Sequence, residues 1–145
     1  MSADTALTVS LVGRTRMFAR LLGIGFAAWQ SGEALGALSA GGGLSGMGFM
    51  LSGIGAGLTI VSAIVLVGTV LHARRAQAFN LFKDAAPQAA IGVAARLALI
   101  ALGAAMAAAA AGIGLARWPQ APVIDLVIAA PVLTFCLVFS ARFKS

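Results

Sequence analysis

The chain has 145 residues, of which 61% are hydrophobic and only 10% are charged. A typical soluble domain has roughly 45–50% apolar and about 25% charged residues, so this composition excludes a water-soluble monomer. High hydrophobicity with low charge also excludes intrinsic disorder. The length allows one domain, and we interpret residues 1–145 as a single membrane domain.

The net charge of +6 comes from ten Lys and Arg against four Asp and Glu. These basic residues lie between apolar stretches, which is typical of topology signals and contacts with anionic lipids rather than of nucleic-acid binding. The single cysteine, Cys136, excludes an internal disulfide, and the single histidine, His72, excludes a multi-histidine metal centre. We therefore predict no metal, no cofactor and no nucleic-acid partner.

Four apolar stretches approach the roughly 20 residues that a helix needs to cross a bilayer. They are residues 21–38, 49–71, 97–116 and 121–141. The first is the weakest, because Gln30 and Glu33 interrupt it; a signal peptide with a small-residue cleavage site near Ser39 is the alternative, which the long basic segment before it disfavours. The sequence predicts an all-α integral membrane protein, with four transmembrane helices in a compact bundle.

The basic residues predict the orientation of these helices. Nine Lys and Arg lie before the first span, between the second and third, or after the fourth, whereas Arg117 is alone on the other side. The positive-inside rule then places both termini in the cytoplasm. The residues that we expect to face cytoplasmic lipid are Arg14, Arg16, Arg20, Arg74, Arg75, Lys83, Arg142 and Lys144. A composition rich in Ala, Gly and Arg and poor in Lys favours the inner membrane of a bacterium.

The segment between the second and third spans is predicted as an amphipathic connector over residues 73–88. Ala76, Phe79 and Phe82 lie on one helical face, and basic residues surround the other. Such a segment is typical of a helix lying in the membrane interface. An ordinary helix end followed by a loop is the alternative interpretation.

Glu33 is the most distinctive candidate for a functional site. It lies thirteen residues beyond Arg20, about 20 Å along a helix and deep in the bilayer. Asp125 is expected in the same outer half, and Arg117 and Gln30 could complete a polar cluster with the two carboxylates. Intramembrane carboxylates commonly serve cation or proton pathways. The alternatives are an ion pair that fixes helix packing and two carboxylates wetted at the interface.

Small residues at four-residue spacing predict close helix packing. They are Ala28, Gly32 and Gly36 on the first span, and Gly53 and Gly57 on the second. These faces could pack within the bundle or between subunits. Pro131 lies in the middle of the fourth span and predicts a kink there.

The sequence contains no catalytic constellation, so we predict that the protein is not an enzyme. The first functional hypothesis is a non-catalytic accessory or assembly subunit of a larger membrane complex, binding lipids and other membrane subunits or itself. The alternative is a small oligomeric transporter or channel that uses Glu33 and Asp125 for a cation, proton or small solute. A membrane-permeabilising protein is a lesser alternative.

Overall fold

Four helices account for almost all of the chain in the computed structural model, which describes residues 3–39, 44–80 and 83–143. Helix α1 is Ala3–Leu38, α2 is Leu44–Arg75, α3 is Ala85–Ala116 and α4 is Gln120–Arg142. The all-helical prediction is therefore confirmed. The predicted spans were shorter than these helices, because charged residues end an apolar run without ending a helix.

Three of the four helices are long and apolar enough to cross a membrane, namely α2, α3 and α4. They indicate a membrane location for the protein. Helix α1 is not among them, since Gln30 and Glu33 lower the apolar character of its second half. A fourth membrane crossing and the orientation of the termini therefore stay predictions.

The helices form a row in the order α2, α1, α4, α3. Helix α1 packs against α2 on one side and α4 on the other, and α4 also packs against α3; in the described parts of the chain no other pair of helices packs closely. Neighbours in this row run antiparallel. The predicted compact bundle is thus found only in part, because α1 and α4 form the middle while α2 and α3 each have a single neighbouring helix.

The α1–α2 contact depends on two pairs of glycines with seven-residue spacing, one pair on each helix. They are Gly25 and Gly32 on α1, and Gly48 and Gly55 on α2. A Cβ built on Gly32 would lie 2.7 Å from the carbonyl oxygen of Gly48, and one on Gly55 would lie 2.7 Å from that of Gly25. Seven residues are close to two turns of an α-helix, so each pair lies on one face. The two backbones therefore approach more closely than any side chain at these positions would allow.

A second close approach joins α1 to α4. A Cβ on Gly23 would lie 2.6 Å from the Cβ of Cys136. Helices α3 and α4 meet at the other end of the row, where the Trp118 ring covers Gly112. Arg117 between them has a φ of 54° and ends α3 in the left-handed conformation.

The buried core lies at one end of the helices along their axes, where α2 and α4 end and α3 begins. Leu11 of α1 and Ala73 of α2 meet the aromatic rings of Phe79, Phe139 and Phe143 there. The Phe143 ring is only 1% exposed and stacks on Phe139, with 5.2 Å between ring centroids. The same end holds most of the basic residues, and we call it the basic end.

The described residues of the segment 73–88 divide among three structures, and Phe82 of the predicted apolar face lies outside the described residues. Helix α2 continues to Arg75, a turn with Gln77 in the left-handed region follows, and α3 begins at Ala85. Pro87 lies in the first turn of α3, where its missing N–H would have no helical partner. Phe79 folds back into the core, with its ring centroid 5.2 Å from that of Phe143.

Candidate functional site

Glu33 lies in a cleft between α1 and α2, on the side of α1 that faces Ser52. The Ser52 hydroxyl donates a hydrogen bond to Glu33 Oε1. The cleft has a volume of about 420 Å³ and is lined by Gly32, Gly36, Gly48, Phe49 and Ser52 beside Glu33 itself. The glycines that bring the two helices together thus also open the space around this carboxylate, which remains exposed.

The other members of the predicted polar cluster lie elsewhere. Asp125 is half-buried on α4, and Arg117 is exposed at the end of α3. Gln30 is half-buried on α1 and does not line the Glu33 cleft. Within the described part of the chain, Ser52 is the partner that Glu33 has, and no three His, Cys, Asp or Glu side chains gather as a metal site would need.

The small residues of α1 and α2 differ in what they contact. The backbones of Ala28, Gly32 and Gly36 lie against α2. Gly53 and Gly57 are exposed, and a Cβ on either one would meet no atom within 4 Å. Any packing in which these two glycines take part would therefore involve a molecule outside this chain.

The basic residues predicted to face lipid are mostly exposed at or near the basic end. Arg14, Arg20, Arg74, Arg75, Lys83 and Arg142 are exposed, and Arg16 is half-buried. Lys144 lies outside the described residues. Among the described basic residues, Arg16 and Arg20 alone make a hydrogen bond to another helix, and both bonds go to Ser140 of α4.

A wide apolar cleft lies in the middle of the row, bordered by all four helices. Its volume is about 520 Å³, and its lining includes Leu66 of α2, Ile91 of α3 and Phe135 of α4. Pro131 lies inside α4 and also lines it. Because proline lacks an N–H, the carbonyl of Val127 loses its helical partner at this point.

Helix α3 buries very little of its surface. Among its residues only Pro87, Ala90, Ala94 and Gly112 are buried. The side turned away from α4 carries small exposed residues over more than three turns. They are Gly103, Ala104, Ala107, Ala110, Ala111 and Gly114, and we call them the α3 outer face.

Sequence reasoning missed three of the four glycines at the α1–α2 contact, Gly25, Gly48 and Gly55. Their seven-residue spacings, 25 to 32 and 48 to 55, were available in the sequence. A search for four-residue spacing overlooks them. The contact of Arg16 and Arg20 with Ser140 joins residues about 120 positions apart, and no local pattern indicates it.

Comparison with known protein families, curated proteins and solved structures found no match.

Proposed function

We propose that this protein is a non-catalytic membrane subunit that assembles with other transmembrane helices through the α3 outer face. The observation that supports this proposal is the surface of α3 itself. Within the described part of the chain, this apolar helix is long enough to cross a membrane, has α4 as its one helical neighbour, and leaves its small residues uncovered.

Small residues on a lipid-exposed face favour helix association for a physical reason. Lipid tails are as apolar as leucine, so helices associate in a bilayer through close van der Waals contact rather than through the hydrophobic effect. Gly103, Ala107 and Gly114 allow another backbone to approach. In α1 and α2, glycines allow such an approach within this chain, so α3 presents a comparable surface to a partner.

A cross-linking experiment in membranes tests this proposal. In a Cys136→Ala background the chain has no other cysteine, so Ala107→Cys can carry a photoactivated cross-linker on the α3 outer face. We expect one adduct of defined mass. The matched control is Ile64→Cys, which places the same reagent on the exposed side of α2, where Ile64 is 68% exposed.

The control should give only lipid adducts and a diffuse background. If both variants gave the same diffuse products, or if neither gave a protein adduct, the α3 outer face would not be a binding surface. The proposed function would then be contradicted.

The Glu33 cleft favours a second candidate function, a small oligomeric transporter or channel. A carboxylate on a helix that packs beside an apolar span costs free energy unless it has a role or a partner. Ser52 supplies Glu33 with only one hydrogen bond, which offsets part of this cost. In this hypothesis Glu33 binds a cation or proton in a pathway that a second copy of the chain completes.

Replacing the carboxylate separates the two functions. We expect Glu33→Gln to abolish proton or cation flux into liposomes if the protein is a transporter, because the amide cannot carry the charge. Ser52→Ala is the control, since it removes the hydrogen bond but keeps the carboxylate. Normal flux through a folded Glu33→Gln protein would exclude this mechanism.

A further inference from the structure

Ser140 near the end of α4 holds two arginines of α1 in fixed positions. The Nε–H of Arg16 donates to the Ser140 carbonyl oxygen at 2.7 Å, and the Nε–H of Arg20 donates to Ser140 Oγ at 2.9 Å. The hydroxyl hydrogen of Ser140 is directed to the Leu137 carbonyl oxygen at 2.8 Å. Ser140 Oγ is thereby oriented to accept from Arg20, and Ser140 itself is fully buried.

Each guanidinium uses its Nε–H in this arrangement and keeps its Nη groups for another acceptor. Within the part of the chain that the structure describes, neither arginine donates a hydrogen bond from an Nη group. Guanidinium groups bind phosphate in a fork of two parallel N–H donors. Two such groups held side by side on one helix face are therefore prepared for a phosphate.

Among the residues that the structure describes, no carboxylate forms a hydrogen bond or ion pair with either arginine. Like charges four residues apart on a helix repel each other. The carboxylates of Glu33 and Asp125 are thirteen and fifteen residues from Arg20 and Ser140, about 20 Å along their helices. Asp4 is twelve residues before Arg16, and Asp84 accepts a hydrogen bond from the Asn80 backbone N–H. An external anion would relieve this repulsion.

An apolar cleft continues from the arginines along α1. Its volume is about 350 Å³, and it is lined by Arg16 and Arg20 together with Gly13, Met17, Leu21 and Ile24. The charged groups lie toward the start of the helix, and Leu21 and Ile24 follow toward its apolar half. This order matches a ligand with an anionic head and a hydrocarbon chain.

We propose that Arg16 and Arg20 form a binding site for the phosphate of an anionic phospholipid, with an acyl chain lying along Leu21 and Ile24. A headgroup with net negative charge is favoured because two cations meet it and neither is paired with a carboxylate among the described residues. The site is separate from the α3 outer face, so it can be tested without reference to the partner of α3.

Native mass spectrometry of the detergent-purified full chain tests the site with two probes, palmitoyl-oleoyl phosphatidylglycerol and palmitoyl-oleoyl phosphatidylcholine. We expect one phosphatidylglycerol to be retained about 30-fold more strongly than phosphatidylcholine, from about fivefold for each of the two basic residues. Arg16→Gln/Arg20→Gln should abolish this preference. The matched control Arg74→Gln/Arg75→Gln removes the same charge from exposed arginines and should retain it.

Further variants keep the test decisive if the double glutamine variant does not fold. Arg16→Lys/Arg20→Lys retains the charge but loses the guanidinium fork. Ser140→Ala retains both arginines but removes the hydroxyl that holds Arg20. Each variant should lower the preference for phosphatidylglycerol by at least about threefold. Equal losses in the Arg16/Arg20 and Arg74/Arg75 variants would overturn the proposal in favour of diffuse attraction. Displacement of the lipid by equimolar inorganic phosphate would also overturn it, because the hydrocarbon chain would then contribute nothing.

Discussion

Gly55→Ala is expected to destabilise the protein by about 2 kcal/mol or more, whereas Gly53→Ala, two residues away on the same helix, should leave stability unchanged or raise it. A Cβ at residue 55 would lie 2.7 Å from the Gly25 carbonyl oxygen and would also clash with the Trp29 backbone nitrogen. Overpacking of this kind costs roughly 1–3 kcal/mol or more, and backbone atoms cannot rotate away as a side chain can.

The effect expected of the control, Gly53→Ala, differs from that of Gly55→Ala in sign as well as in size. A Cβ at Gly53 meets no atom within 4 Å, and alanine is favoured over glycine in a helix interior by about 1 kcal/mol. The measurement is the free energy of unfolding of both variants in detergent micelles, followed by circular dichroism. Equal effects of the two substitutions would show that α1 and α2 do not pack through Gly25 and Gly55.

Phe143→Ala is expected to cost about 3–5 kcal/mol of stability, the usual range when a buried phenylalanine becomes alanine. The Phe143 ring is 1% exposed and has two aromatic neighbours, Phe79 and Phe139, each with its ring centroid 5.2 Å away. Its removal would leave a cavity where the connector, α1 and α4 meet.

Phe49→Ala is the matched control, because the Phe49 ring on α2 is 81% exposed. A side chain that stays largely exposed in the folded protein gains little from folding, so this substitution should change the free energy of unfolding by less than about 0.5 kcal/mol. The same assay in micelles serves both variants. A loss with Phe49→Ala as large as with Phe143→Ala would contradict a core confined to the basic end.

The helices were largely predictable because membrane spans have a strong local signal. Composition and apolar stretches of about 20 residues are sufficient to locate α2, α3 and α4, and the predicted fourth span, residues 121–141, nearly coincides with Gln120–Arg142. The extension of α1 back to Ala3 has a weaker signal, because the residues before Leu21 mix charged and polar side chains with apolar ones.

The arrangement of the helices was not predictable from apolar character alone. Apolar residues in a membrane helix face lipid as well as protein, so they do not show which face packs. The row depends on where the backbones can approach, and seven-residue glycine spacing in α1 and α2 determines one of its three contacts. A compact bundle would have required α2 and α3 to pack against each other, and neither presents its glycines to the other.

The polar cluster shows a further limit of sequence reasoning. Helix register indicated similar depths for Glu33 and Asp125, but depth does not specify direction around the helix axis. In the structure Glu33 is directed to α2 and Ser52, while α1 packs against α4 through Gly23. A neutral partner such as Ser52 carries no charge signal in the sequence.

The measurement that tests the proposed function most directly is the native mass and subunit composition of the protein after extraction in a mild detergent. If the chain is a subunit of a larger membrane complex, other chains will co-purify at a fixed stoichiometry, and Ala107→Trp on the α3 outer face will release the 14.5 kDa chain without unfolding it. A monomer, or an oligomer of this chain alone, would contradict the proposal.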